Sequence, residues 1–220
     1  MIRRTTIVSV SAAATIAFAA GHGLSQPESV KTPVPDRPAA APVPPSPMPD
    51  TSEIVERLEE QAATAEQHKL LEALVGTFKA ESRMYMDPDP KVAPLASHGT
   101  GKGAWILGKR FVKVDTLVGQ DAAKKELATE AMTIYGFDTR TQKYTVLALD
   151  TLGTYWVSAD GDYDEESKEL RLAGIVEDGG QKMKFKWVVK LAEKGNTTSV
   201  MLNIDGEMWM KAAEVVLEKK

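Results

Sequence analysis

The sequence predicts an all-β fold, an antiparallel up-and-down β-barrel of about ten strands preceded by one α-helix. Three observations point there. In "QKMKFKWVVKL", Met183, Phe185, Trp187, Val189 and Leu191 fall on one side of an extended chain, and Lys182, Lys184, Lys186 and Lys190 on the other, which is the period of a strand with one dry and one wet face. After Gly76 this period persists to the C-terminus, giving strand segments at 77–86, 99–107, 110–117, 126–138, 143–150, 154–164, 168–177, 182–191, 197–205 and 207–219. The joints between them, such as "LGKR", "DTRTQ", "DEESK" and "EKGN", are hairpin-sized turns, so neighbours pair antiparallel and no helical crossover is available for a parallel sheet. A meander of that length exposes unpaired edges unless it closes, and closure makes a barrel.

The elements before the barrel follow in order. "MIRRTTIVSVSAAATIAFAAGHGLS" joins two early arginines, an apolar Ala-rich run and small residues, the order of a secretory signal over residues 1–25. Export to a bacterial periplasm or beyond is the expected localisation, and an uncleaved signal anchor is the alternative attachment to a membrane. Residues 26–49 hold nine of the twelve prolines in the chain, a density that favours an extended spacer over packed structure. Asp50 and Glu53 have the spacing of a capping box, and a helix is expected over 50–75, ending at Gly76. Its first half carries a thin apolar stripe at Ile54, Leu58, Ala62 and Ala65, while Leu70, Leu71, Leu74 and Val75 make its second half the docking end. The barrel domain then occupies 76–220.

The ordered series "HKLLEALVGTF", "MYMDPDP", "GTGKGAWILGKRFVKV", "YGFDTRTQKYTVLALDTLGTYWVSADGDYD" and "KELRLAGIVED" resembles the bacterial domain-of-unknown-function family DUF1579. The resemblance runs from about His68 to the C-terminus, and it implies a lipocalin-like barrel without an established activity. Where that family usually has Gly-Thr-Trp, this chain has Gly76-Thr77-Phe78, which keeps an aromatic plug and loses an indole N–H.

Composition narrows function by exclusion. The formal net charge is −4, with lysines interspersed among acids, so there is no basic field for nucleic acid. The chain has no cysteine, which removes disulfides, thiol nucleophiles and cysteine-held metals. Of three histidines, His22 falls in the signal, and His68 and His98 stand beside no serine or acid at informative spacing and read as surface residues. No catalytic residue, metal ligand or cofactor is therefore assigned. Asp160, Asp162 and Asp164 alternate like the start of a calcium loop, but Glu165 and Arg171 occupy the positions where such a loop needs glycine and glutamate. "GTGKG" runs on into a strand rather than a helix, so it reads as strand curvature and not as a phosphate loop.

The remaining signal is aromatic and thioether side chains on dry faces. Phe78, Met84, Trp156, Phe185, Trp187 and Met201 are the candidate lining of a cavity for a small apolar or amphipathic ligand, with Ala80, Ser82 and Ser158 leaving room beside them. A filled core uses the same residues. The expected function is that of an exported, non-enzymatic binding protein. The alternative is a cell-envelope interaction protein in which the helix segment 51–67 binds a protein partner or a second copy.

Overall fold

The structure, a computed structural model, describes residues 51–178, 181–203, 206 and 208–220. The expected signal, the proline-rich linker and the Asp50 cap lie outside these residues. The chain from Thr64 onward forms one compact unit, and helix α1 (Thr51–Ala62) belongs to another.

Ten strands follow: β1 (Gly76–Met84), β2 (Leu95–Ile106), β3 (Phe111–Val118), β4 (Thr129–Asp138), β5 (Lys143–Asp150), β6 (Trp156–Asp164), β7 (Glu169–Asp178), β8 (Gln181–Ala192), β9 (Gly195–Asn203) and β10 (Trp209–Lys219). Each pairs antiparallel with its sequence neighbour, and β10 pairs with β1 to close the barrel. Closure satisfies both edges, because Phe78 to Met84 lie in register with Lys219 to Ala213. β8 shows the alternation expected of it: Met183, Phe185, Trp187, Val189 and Leu191 are buried, while Lys182, Lys184, Lys186 and Lys190 are exposed.

The helix expected over 50–75 is not continuous. α1 stops at Ala62, and a separate 3₁₀ helix occupies Glu66–Leu74. Nothing in "AATAE" breaks a helix by itself, so tertiary packing overrides propensity here. Leu71 and Leu74 are completely or almost completely buried, worth about 1.5–3 kcal/mol each in transfer alone, and the chain rewinds to deliver them as a plug for one end of the barrel.

His68, expected at the surface, is buried within that plug. Its Nδ1 accepts from the Ala65 N–H at 3.0 Å and so caps the 3₁₀ helix, while its ring meets Phe137 edge-on at 5.8 Å. Two further bonds latch the plug. Tyr144 Oη donates to the Gln67 carbonyl at 3.1 Å, and Trp105 Nε1 donates to Glu72 Oε2 at 2.6 Å. Gly103 of β2 is what lets the plug backbone approach, for a Cβ there would lie 1.8 Å from the Leu74 carbonyl oxygen.

β6 corrects one expectation about facing. Val157 and Ala159 point into the barrel, whereas Trp156 and Ser158 are exposed. Tyr155, Trp156 and Val157 form an apolar run with no alternation to fix its parity, and a shift of one residue exchanges the two faces.

Candidate functional site

The inward positions change character along the barrel axis. Toward the plug they are bulky: Phe78, Tyr135, Phe137, Tyr144, Leu172 and Trp187 are all buried. Toward the opposite end Ser82, Ser97, Thr129, Ala131, Ala148 and Ala213 are buried among larger inward side chains, Val118, Val176, Phe185 and Leu202. At that end three methionines also turn inward, Met84 from the last position of β1, Met183 from the start of β8 and Met210 from the start of β10. All three are buried, a flexible thioether layer at that end of the barrel.

Four of the six candidate lining residues face this interior: Phe78, Met84, Phe185 and Trp187. The other two do not. Trp156 is 68% exposed on the outer face of β6. Met201 lies outside as well, since its neighbours Val200 and Leu202 take the inward positions of β9, and it pairs in register with Lys186 on one side and Lys211 on the other. Here it belongs to a cationic and aromatic outer patch, in which Lys186 Nζ stands 4.1 Å above the Trp209 ring and Lys211 Nζ lies 5.6 Å from the Tyr85 ring.

A polar cluster sits inside the barrel on the plug side, and alternation alone did not single it out. Trp187 Nε1 donates to Tyr135 Oη at 3.2 Å in a fully buried bond. Burial pushes the Tyr135 phenol up to about 12, partly offset by its hydrogen bonds to Thr198 and Trp187. Tyr135 is therefore a neutral hydroxyl under ordinary conditions. With Thr116, Thr133, Asn196 and Thr198 it borders a cavity of about 20 Å³. Asn196 is 5% exposed, and its Nδ2 has no hydrogen-bond partner among the described residues. The signal for this cluster was the parity of β9, where Asn196 and Thr198 share the inward face with Val200 and Leu202.

The acidic run behaves as a solvated hairpin. Lys143 Nζ donates to Asp162 at 2.6 Å, and Arg171 pairs with Asp164. Among the described residues no three His, Asp or Glu side chains come together as a metal site, and no helix is long and apolar enough to cross a membrane. His98 lies on the outer surface, with Nδ1 at 2.8 Å from Glu126. The His98 backbone N–H and then its ring hold the Glu126 carboxyl below its ordinary value.

Fold and interior together define a closed antiparallel barrel with one plugged end. The chain belongs to the DUF1579 family, a family of proteins of unknown function, which it matches over residues 63–219. Among solved structures it is similar to that titled "Crystal Structure of Rv2717c from M. tuberculosis", with a TM-score of 0.51 and 13% identity, over 72% of this chain and 99% of that one. At that identity the likeness concerns the fold. No curated protein matches.

Proposed function

We propose that this chain is an exported, non-enzymatic binding protein whose barrel takes a small apolar or amphipathic molecule through the end opposite the plug. The observation that carries this reading is the set of small inward side chains, Ser82, Ser97, Thr129, Ala131, Ala148 and Ala213, in the half of the barrel away from the plug. A barrel built only as a solid scaffold gains stability from larger side chains at such positions. The histidines support a non-enzymatic role, because His68 is engaged in capping the plug and His98 pairs with Glu126 on the outer surface.

The test is a panel of fatty acids, isoprenoids and haem added to the full chain and followed by tryptophan fluorescence and native mass spectrometry. At least one member is expected to form a 1:1 complex. A panel without any binder, together with a crystal structure packed solid from plug to rim, would refute the proposal.

A second reading has its own observation. On α1, Ile54, Val55 and Leu58 are 44%, 48% and 58% exposed, an apolar stripe suited to a protein partner or a second copy. The expected 51–67 element narrows to residues 51–62, because Gln67 already holds the plug through Tyr144. Deleting 51–62 is expected to abolish self-association or partner capture while the barrel's urea midpoint stays put. An unchanged elution volume and partner set would sink this second reading.

A further inference from the structure

We infer that the barrel's ligand is anchored by one neutral oxygen, a hydroxyl or a carbonyl, seated in the polar pocket at Asn196, Thr198 and Tyr135. This rests on the ligand-binding reading above and narrows its chemical class. Size, donors and charge lead to it separately. A cavity of about 20 Å³ holds one oxygen-sized group, since a single water needs about 10–15 Å³. A carboxylate or phosphate has more atoms than that space admits.

The donors are in place for an acceptor. Asn196 Nδ2 is buried with both its hydrogens unspent among the described residues, and such a group costs stability unless something accepts from it. Trp187 already donates to Tyr135 Oη, so the Tyr135 proton points onward, to Thr198 or to a guest. Nothing in the pocket compensates a charge. Its lining consists of threonine, tyrosine, tryptophan, asparagine, leucine and valine, and an anion moved there would have no cation to meet it.

Small inward residues stand next to the pocket's lining in register. Thr116 pairs with Ala131, Thr133 with Ala148, and Val215 with Ser82. An alkyl or prenyl body lying along those positions places its head at Asn196 and its tail toward Met84, Met183 and Met210.

The probes are octan-1-ol, octan-2-one, octanoate and octane, titrated against the full chain at pH 7.5 with tryptophan fluorescence and native mass spectrometry as readouts. The alcohol and the ketone are expected to bind about tenfold more tightly than octane, the worth of one or two buried neutral hydrogen bonds, and octanoate no better than octane. In Asn196→Leu the alcohol-to-octane ratio should fall to about one. Should that variant fail to fold, Thr198→Val, which keeps the side chain's shape, is expected to lower the same ratio at least about threefold. Octane binding as tightly as octanol, or a ratio untouched by either variant, would overturn the anchor while leaving a ligand-binding barrel standing. Absence of binding by all four would likewise overturn the anchor, while the wider panel of fatty acids, isoprenoids and haem decides the ligand-binding reading.

Discussion

Replacing Gly103 with Ala is expected to destabilise the protein by about 3 kcal/mol or more, through the plug rather than through strand β2. The new Cβ would lie 1.8 Å from the Leu74 carbonyl oxygen, 2.9 Å from its carbonyl carbon and 3.3 Å from Val75 Cα. All three are main-chain atoms, so no side chain can rotate out of the way. Overpacking of this kind costs about 1–3 kcal/mol where the backbone yields. Here yielding means lifting Leu71 and Leu74 out of the barrel end, and each carries about 1.5–3 kcal/mol of burial. Gly101→Ala is the matched control. Its Cβ would stand 3.0 Å from Leu217 Cδ2, the far end of a flexible side chain, and the expected loss is within about 1 kcal/mol. Urea midpoints of the two variants should therefore separate clearly. Equal midpoints would mean that the plug is not seated against Gly103.

That close contact is not legible in the sequence, although its glycine is. "GTGKG" in the sequence implies strand curvature, which accounts for β2 as a strand but not for the chain lying on it. Contacts between elements distant in sequence leave no local period, and Leu74 meets β2 only once the barrel has closed. The strands themselves were legible because alternation is a local consequence of burial on one face. β5 matches its expected span of 143–150, and β8 matches its facing residue by residue.

The interior was legible only where alternation was strong. Phe185 and Trp187 lie between exposed lysines, and their direction follows from that contrast. Trp156 sits in an apolar run beside Val157 and Tyr155, and the inward direction expected for it fails because the pairing of β5 with β6 sets Ala148 opposite Val157. Polar inward residues escaped for a different reason. A threonine or asparagine in a strand reads as a wet-face residue, so the interior positions of Asn196 and Thr198 become apparent only when Val200 and Leu202 on the same parity are counted inward with them. The helix break at Ala63 had no sequence signal, because the burial of Leu71 and Leu74 that rewinds the chain is a property of the assembled barrel.

Phe185→Ala separates a filled barrel from one with a cavity: in a filled barrel it costs about 3–5 kcal/mol, the range for truncating a buried aromatic where neighbours cannot collapse into the gap. The neighbour most able to fill a void would be the residue paired across on β7, and that residue is Gly174. It has no side chain to offer. The Phe185 ring lies over it, so closely that a Cβ at Gly174 would come within 2.5 Å of Phe185 Cε1 and 2.4 Å of the Ser158 carbonyl oxygen. The other cross-strand partner, Leu202, is itself buried, and moving it inward would open a second gap. Lys184, one residue back, projects to solvent opposite Ile175, which is 62% exposed. Lys184→Ala should then change stability by no more than about 0.5 kcal/mol. The difference between these adjacent positions checks the facing of β8, and the size of the Phe185 loss reports on the space above the ring. A ring that borders a ligand cavity already has one unpacked side, so its removal costs nearer the transfer contribution alone, about 1.5–3 kcal/mol. Urea titrations of the two single variants measure both quantities. Coincident midpoints would contradict the inward direction of Phe185, and with it the interior wall that Trp187 and Met183 share.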